Sequence, residues 1–476
     1  MPINIIQLAA DVVKRAETAD AGAEQASSNE PSHLTDLGNA ERLVKLHGKD
    51  LRYCAQTGVW LVWDGRRWAV DQTGEVFRRA TNTVKTIYAE ATLYSNPMRE
   101  EIAKHAIRSE SSGKIAAMVR LAESERSIAV APNQLDADPW LLNVLNGTIN
   151  LRTGELRSHR REDLITKLAP VEYDPEARLK QWDDFLADAT GGDKELADFL
   201  QRAVGYSLTG DTREEVLFLV HGPSRTGKST FLEAVKATMG DYAQTADFET
   251  FVKRQSVGGP RNDIACLGGA RAVISIEVDE GKRLAEGLVK MITGGDTLRA
   301  RYLYKESFEF RPQFKLWLAA NHAPKVKADD DAMWNRILRV PFERVVPKER
   351  RSPKVKATLT NPEIAGPAIL AWAVEGALIW QRNGLGVPPV VEKATESYRL
   401  EMSPLHEFIA ECCEQAPDAW TPADKLRAAY EEWAEERGEG ELLSPTEFTS
   451  GLRAHGCEPA RRHAGRGWVG IRLRDA

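Results

Sequence analysis

The sequence has few cysteines and no long apolar run, and each absence excludes a class of protein. Its 476 residues include five cysteines, without a CxxC pair. An odd, scattered set of cysteines argues against a zinc finger or a disulfide framework and fits a reducing compartment. The apolar runs are too short for a signal peptide or a transmembrane helix. We therefore expect a soluble cytoplasmic protein that has no membrane contact.

A strong excess of charge of one sign is also missing. The chain has 64 lysines and arginines against 70 aspartates and glutamates, a formal net charge of −6. This balance does not require a nucleic-acid partner, so any contact with DNA must come from local patches. The apolar and charged fractions, 42% and 28%, are those of an ordinary globular protein. The length suggests two to four domains.

The stretch HGPSRTGKST has the spacing GxxxxGK[ST], which is typical of a phosphate-binding loop, the P-loop. An apolar strand, VLFLV, precedes it, and an apolar pattern of helical spacing follows it. In such a loop the lysine reaches the nucleotide phosphates and the next hydroxyl serves Mg²⁺. We therefore predict that ATP and Mg²⁺ bind here, with Lys228 catalytic and Ser229 on the metal. The expected nucleotide-binding residues are Gly222, Pro223, Ser224, Arg225, Thr226, Gly227, Lys228, Ser229 and Thr230.

Later strands carry candidates for the hydrolysis step. The run AVISI is followed by Glu277, with Asp279 just beyond. A P-loop ATPase needs carboxylates at the end of a neighbouring strand, so we predict that both are catalytic and that Glu277 holds Mg²⁺. The alternative is an acidic loop that caps a helix. The strand FKLWLAA is followed by Asn321, which suits contact with the γ-phosphate or caps a turn. Behind it, Arg336 and Arg339 either stabilise charge on the phosphate or form surface ion pairs.

Basic residues in two places are candidates for nucleic-acid contact. The stretch LRARYLYKESFEF alternates as two short strands, with Arg301 on one strand and Lys305 at the tip. Such a tip can grip a nucleic-acid backbone or simply face solvent. Past residue 403, three helical patterns and a Gly-turned hairpin predict a winged-helix domain. It would bind DNA or, alternatively, contact a protein. The candidate DNA-binding residues there are Arg453, Arg461, Arg462 and Arg466.

The part before the P-loop carries little chemistry. Residues 1–38 are polar and lack an apolar period, so we predict a disordered lead. The stretch LRYCAQTGVWLVWDGRRWAVD alternates like paired strands. We interpret its Trp60, Trp63 and Trp68 as the core of a small sheet, with a base-stacking platform as the alternative. One helix is predicted from Met98 to about Glu123.

Taken together, HGPSRTGKST, ISIEVDEGKRL, TGGDTLRARYLYKESFEFRP, LAANHAP and DDAMWNRILRVPF resemble, in this order, the motifs of superfamily-three helicases of the poxvirus and phage/plasmid primase-helicase type. The resemblance runs from about residue 39 to the C-terminus. It implies an α/β fold, with a P-loop AAA+ core, an α+β N-terminal region and a C-terminal winged-helix domain. The implied domains are a disordered lead at 1–38, the N-terminal domain at 39–178, the ATPase domain at 179–398 and the winged-helix domain at 399–476.

The resemblance also implies roles for individual residues. Glu277 would be the Walker B acid, Asn321 the sensor and Lys305 the hairpin residue that faces DNA. Arg336 would be the arginine finger that acts on the ATP of a neighbouring subunit, with Arg339 as its rival. Because valine rather than a second acid follows Glu277, the share taken by the later aspartate stays open.

The function implied is an ATP-dependent replicative DNA helicase of a phage, virus or mobile element. It would assemble as a ring, usually a hexamer, translocate on single-stranded DNA and unwind forked DNA. The alternatives are an origin-binding initiator ATPase with little unwinding, a helicase partner of a separate primase and, more distantly, a small-molecule kinase. Fewer than about 40 residues precede the resemblance, too few for a polymerase fold, so primer synthesis is not expected.

Overall fold

The computed structural model describes residues 33–253, 262–276, 281–301, 307–328, 330–437, 442–462 and 465–474. The protein is a mixed α/β protein with a five-stranded parallel sheet. The chain forms two compact units, and the first takes the described residues up to 138 together with residues 157–168. The second takes residues 139–156 and those from 169 onward. The predicted N-terminal domain, residues 39–178, is therefore divided between the two units.

The first unit combines four helices with a small antiparallel sheet. The predicted disordered lead lies mostly outside the described residues, but its end, from Asp36 onward, is helical. The helix predicted from Met98 to Glu123 is instead two helices, because Ser111 adopts an extended conformation between them. The elements are α1 (Asp36–His47), β1 (Leu51–Cys54), β2 (Val59–Trp63), β3 (Trp68–Val70), α2 (Glu75–Ala91), α3 (Met98–Ser109) and α4 (Ser112–Ala122).

The tryptophans of this small sheet belong to its packing, as predicted. Trp68 is fully buried, and its indole N–H donates to the carbonyl oxygen of Arg161 at 2.9 Å. Trp60 and Trp63 are partly buried against two apolar clusters of the unit. This confirms the core interpretation for these residues.

The second unit begins with a small three-stranded sheet and two helices that lead to the parallel sheet. Its elements up to the end of that sheet are β4 (Leu141–Val144), β5 (Gly147–Asn150), β6 (Glu155–Arg157), α5 (Lys180–Ala189), α6 (Lys194–Leu208), β7 (Leu217–His221), α7 (Lys228–Met239), β8 (Ala243–Thr245), α8 (Asn262–Ala265), β9 (Ala272–Ile276), α9 (Glu286–Thr293), β10 (Leu298–Arg301), β11 (Ser307–Phe310), β12 (Lys315–Ala320), α10 (Asp331–Trp334) and β13 (Ile337–Pro341).

The parallel sheet has the strand order β13-β7-β12-β9-β8. Phe218 and Val220 of β7 face one apolar cluster, while Leu217 and Leu219 face the other. A strand that is buried on both faces reads as a continuous apolar run, which is why β7, β9 and β12 could be predicted. Strands β8 and β13 were not predicted, because one is short and the other carries Arg339 in its middle.

The C-terminal part continues with α11 (Pro353–Leu359), α12 (Gly366–Asn383), α13 (Pro389–Glu401), α14 (Pro404–Cys412), β14 (Cys413–Pro422), α15 (Ala423–Glu436), α16 (Pro445–Ala454), β15 (Glu458–Arg462) and β16 (Gly465–Leu473). The last three strands form an antiparallel sheet in the order β14-β16-β15. Strand β14 is absent from the prediction, since its sequence CEQAPDAWTP has little strand propensity. It pairs with β16 on either side of a register break between Gln415 and Trp420. Among the described helices, none is long and apolar enough to cross a lipid bilayer.

Helices α6 and α12 approach each other closely at two glycines. A Cβ atom on Gly205 would lie 2.1 Å from the backbone nitrogen of Ala377. One on Gly376 would lie 2.1 Å from the carbonyl oxygen of Gln201. Both distances are far shorter than a van der Waals contact, so the crossing depends on the absence of a side chain at these positions.

We predict that Gly205→Ala lowers the free energy of unfolding by about 2 kcal/mol or more, because the helices must move apart. The control is Gly287→Ala in α9, where an added Cβ would meet no atom within 4 Å. The control should be neutral or slightly stabilising, since alanine favours a helix. Urea unfolding followed by tryptophan fluorescence measures both. Equal midpoints for the two variants would contradict the close crossing.

Candidate functional site

In the loop between β7 and α7, the backbone lies very close to neighbouring residues at two glycines. Gly222 (φ +151°) and Gly227 (φ +93°) lie in the left-handed region that favours glycine. A Cβ on Gly222 would lie 1.9 Å from the carbonyl oxygen of Phe342. One on Gly227 would lie 3.0 Å from the ring of Phe185. A side chain at either position would therefore displace the loop.

Lys228 is the first residue of α7, and its ammonium group lies inside the loop. The residue is 7% exposed. Its Nζ donates to the carbonyl oxygens of Gly222 at 2.6 Å and Pro223 at 2.7 Å, and to Oδ1 of Asn321 at 2.9 Å. Burial lowers the pKa of the Lys228 ammonium below its ordinary value. These three partners are neutral oxygens, so the charge of the ammonium is available to an anion.

The strand order brings Asn321 to Lys228. Strands β7 and β12 are adjacent and parallel, and His221 pairs with Ala320 at their carboxyl ends. Asn321 directly follows β12 and therefore lies beside the loop that directly follows β7. The contact joins two predicted site residues that are 93 positions apart.

A cavity of about 300 Å³ opens at this edge of the sheet. Helix α7 starts at its wall, and no side chain caps the helix at Gly227. The N–H groups of its first turn and the positive end of its dipole are thus suited to an anion. The cavity is lined by Ser224, Arg225, Thr226, Gly227, Lys228, Ser229, Thr230, Ile276, Ala319, Ala320 and Asn321. Of the predicted nucleotide-binding residues, Gly222 and Pro223 are outside this lining but accept from Lys228.

The predicted carboxylates Glu277 and Asp279 lie outside the described residues. The strand before them, β9, ends at Ile276, which lines the cavity. However, β9 is not the neighbour of β7, because β12 lies between them. The expectation of carboxylates on a neighbouring strand was therefore wrong in this detail. Of the two strands that flank β7, it is β12 that leads to a polar side chain beside the loop, the amide of Asn321.

Arg336 lies at the opposite edge of the sheet from the loop. It precedes β13, and its carbonyl oxygen accepts from the backbone N–H of Leu217 at the start of β7. Its Nη2 donates to Oε2 of Glu215 at 2.8 Å, and its Nη1 donates to the carbonyl oxygen of Ala332 at 2.6 Å. The five residues of β13 separate Arg336 from the loop edge, about 16 Å at the rise of a strand. This is more than an arginine side chain can span.

Arg339, the rival of Arg336, forms its contacts within its own chain. Its guanidinium donates to Oε1 of Glu401 at 3.0 Å and to Nδ1 of His221 at 3.0 Å. The guanidinium carbon lies 5.5 Å from the ring of the buried Tyr398. The backbone N–H of Arg339 donates to the hydroxyl of Thr395. Arg339 therefore fastens α13 to the sheet.

A second cavity of about 460 Å³ lies next to the first and shares Asn321 with it. Burial and, after it, the positive charge of Arg339 lower the pKa of His221, which lines this cavity, to about 4. Lys228 and His322 act in the same direction, whereas Glu401 opposes them. His221 is therefore a neutral acceptor for Arg339 at physiological pH.

The predicted DNA-contacting residues fall in two places. Arg301 is exposed at the end of β10, which pairs with β11, and Lys305 lies outside the described residues. The other predicted residues belong to the C-terminal sheet and to the helix before it, and all of them are exposed: Arg453 on α16, Arg461 and Arg462 on β15, and Arg466 on β16. Arg461 and Arg466 are directly opposite each other in the antiparallel ladder.

Three residues with direct contacts to the predicted site were missed: Glu215, His221 and Glu401. His221 precedes Gly222 in the loop motif, and its position could have drawn attention. Glu215 and Glu401 have no sequence signal, because their partners lie 121 and 62 positions away. Within the described residues, no group of three or more His, Cys, Asp or Glu side chains could hold a metal ion.

Two family models match parts of the chain. One, described as D5 N terminal like, matches residues 40–191, and the other, a family of unknown function (DUF5906), matches residues 220–336. The chain is 32% identical over 223 residues to the "Putative helicase L207/L206" of Acanthamoeba polyphaga mimivirus, covering 45% of this chain and 23% of that protein. It is 26% identical over 383 residues to the "Putative helicase 022R" of Frog virus 3, covering 63% and 39%. It is 23% identical over 323 residues to the "Putative primase C962R" of African swine fever virus, covering 63% and 34%.

The chain thus spans less than two fifths of the length of these relatives. Among solved structures, it is similar to the apo C-terminal region of NrS-1. The TM-score is 0.44 at 10% sequence identity, with 89% of this chain and 96% of that chain covered.

We predict that His221 makes the protein less stable as the pH falls from 6.5 towards 4. In this window the unfolded chain, with an ordinary histidine pKa of 6.5, binds a proton that the folded chain, with a pKa of about 4, does not. The free energy of unfolding should therefore fall less between pH 7 and pH 5 in His221→Asn than in the wild type. Urea unfolding at the two pH values measures this.

An NMR titration of the His221 imidazole, assigned by its loss in His221→Asn, gives the folded pKa directly. A midpoint near 6.5 would contradict the buried contact with Arg339.

Proposed function

Because the chain belongs to the D5-type primase-helicase family, we propose that it is an ATP-dependent DNA helicase with its nucleotide site in the loop at residues 222–227. The observation that carries this proposal is the buried ammonium of Lys228 between the loop carbonyls and Asn321. An ammonium placed at the start of a helix, with a polar amide that follows the adjacent strand of the sheet, suits a nucleoside triphosphate. In this reading the loop is a P-loop, and the core is of the superfamily-three AAA+ type.

The donor set of the cavity fits nucleotide phosphates. It combines the ammonium of Lys228, the hydroxyls of Ser229 and Thr230 and the uncapped first turn of α7. Lys228 would bind the β- and γ-phosphates, and Asn321 would orient the γ-phosphate or the attacking water. Of the two predicted Mg²⁺ ligands, Ser229 lines the cavity. Mg²⁺, when bound, would neutralise charge on the phosphates. The other ligand, Glu277, would hold the metal, and Asp279 would share its role.

We propose that Arg336 completes the site of a neighbouring subunit. Its place at the amino edge of the sheet keeps it from the loop of its own chain, whereas an adjacent copy in a ring could receive it. Arg339 is held by Glu401 and His221 of its own chain, which disfavours it as the rival. The ring, its hexameric state and translocation along single-stranded DNA belong to this proposal.

The part of the chain from α14 to β16 supports a DNA contact. We assign the order α14, β14, α15, α16, β15, β16 to a winged helix, with the β15–β16 hairpin as the wing. Like charges directly opposite in a ladder destabilise it, and Arg461 and Arg466 are such a pair. A phosphate backbone beside the wing would remove this repulsion. Arg453 and Arg462 would extend the contact, and Arg301 and Lys305 would form a second one. A separate primase fits as a partner of such a helicase.

The proposed activity predicts that Lys228→Ala lowers ATP hydrolysis at least about 100-fold, because the charge that faces the phosphates is lost. The matched control is Lys236→Ala on the same helix, whose Nζ bonds Thr245 instead. Hydrolysis is measured with and without single-stranded DNA, and strand separation with a labelled fork. Wild type and control should hydrolyse ATP faster on DNA and unwind the fork. Hydrolysis without strand separation would favour the initiator ATPase.

The proposed wing predicts that Arg461→Ala/Arg466→Ala weakens binding to single-stranded DNA. It should also reduce the slope of log K against log salt by about 1.4, because two phosphate contacts are lost and each contributes about 0.7 on a single strand. The control is Arg472→Ala on the same strand, whose guanidinium pairs with Glu414 at 2.7 Å. Fluorescence anisotropy at several salt concentrations measures both variants. An unchanged slope in the double variant would place the DNA contact elsewhere.

A further inference from the structure

We infer that Glu215 is a positioning residue that holds the guanidinium of Arg336 in place for the nucleotide site of a neighbouring subunit. This inference rests on the proposed function, in which Arg336 acts between subunits. It adds to that function a residue whose carboxylate acts through Arg336 and touches no nucleotide itself.

The first support is the contact itself. Oε2 of Glu215 lies 2.8 Å from Nη2 of Arg336, and the Glu215 side chain is 51% exposed while that of Arg336 is 19% exposed. The Ala332 carbonyl fixes Nη1 at 2.6 Å. Each of these two nitrogens keeps a second N–H, since a guanidinium carries five. The group is therefore held at two points and still has donors for a phosphate.

The second support is the surroundings of the guanidinium. Nε of Arg336 is buried and has no hydrogen-bond partner among the described residues. The C-terminal end of α9 is close, since a Cβ on Gly294 would lie 3.8 Å from Nη2. The negative end of a helix dipole favours a cation. The guanidinium is thus held by two hydrogen bonds next to the end of α9. A charge that acts on a phosphate needs positioning of this kind.

The third support is the backbone of Glu215. Its φ is +52°, a region that costs a residue other than glycine about 1 kcal/mol or more. Its backbone N–H donates to the carbonyl oxygen of Thr212. The Glu215 side chain is 51% exposed, and its ion pair with Arg336 is a contact that offsets this cost.

The proposal is tested by mixing subunits. A shared site takes its lysine from one subunit and its arginine from the next. Lys228→Ala subunits lack the lysine of the nucleotide site but keep Arg336 in position. Glu215→Ala subunits keep that lysine, but their Arg336 is poorly positioned for the neighbouring site. We expect Glu215→Ala alone to lose about tenfold in ATP turnover with nucleotide binding unchanged, less than Arg336→Ala, which loses about 1,000-fold.

Mixing Glu215→Ala with Lys228→Ala should restore part of the activity, because some sites then combine two intact halves. Mixing Glu215→Ala with Arg336→Ala should restore none, because both changes affect the same half of the site. The control is Glu214→Gln next to it, since Glu214 accepts from the indole N–H of Trp380. This control should keep full turnover.

Glu215→Gly separates positioning from folding. Glycine adopts the positive φ without cost, so this variant should be at least as stable as Glu215→Ala and should lose the same turnover. If Arg336→Ala recovers with Lys228→Ala subunits while Glu215→Ala does not, the inference is overturned and the proposed function stands. If neither recovers, the shared site fails, and the inference fails with it. Wild-type turnover in Glu215→Gly would also overturn it.

Discussion

The buried ammonium of Lys228 is the constraint on which the rest of the sheet depends. A charge at 7% exposure needs several oxygen atoms around it, and two come from the loop while another comes from Asn321. Asn321 can reach it only because β12 lies parallel and next to β7. Such a sheet must be covered on both faces, which requires the helices packed on either side. The hydrogen bonds of one buried side chain thus depend on the architecture of the second unit.

Strand β7 connects two places that are proposed to act on different nucleotides. Its carboxyl end leads into the loop with Gly222 and Lys228, and its amino end follows Glu215 and pairs with the carbonyl of Arg336. A rigid strand that is buried on both faces transmits a displacement from one end to the other. In the proposed ring, the response of one subunit to its nucleotide therefore has a short, stiff path to the next subunit.

The sequence was informative where one segment contains the whole signal. The loop motif and the continuous apolar runs of β7, β9 and β12 could be predicted, because burial and spacing are local properties. Strand β14 was missed since pairing with β16, rather than its own residues, makes it a strand. The contact of Glu215 with Arg336 depends on residues 121 positions apart and has no local signal. Likewise, Arg336 and Arg339 look equivalent in one motif. Only the structure shows that Arg336 precedes β13, at the amino edge of the sheet, whereas Arg339 lies in the middle of that strand.

Helix α13 has a consequence for shortened forms of the chain. It contacts Arg339 of β13 through Thr395, Tyr398 and Glu401, and α14 begins three residues after it ends. A shortened chain meant to lack only the part from α14 to β16 should therefore end at Met402. A chain that ended before Pro389 would also lack the carboxylate that pairs with Arg339, and the edge of the sheet beside His221 would be uncovered. Loss of activity in that shorter chain would therefore reflect damage to the sheet in addition to the loss of the proposed DNA contact.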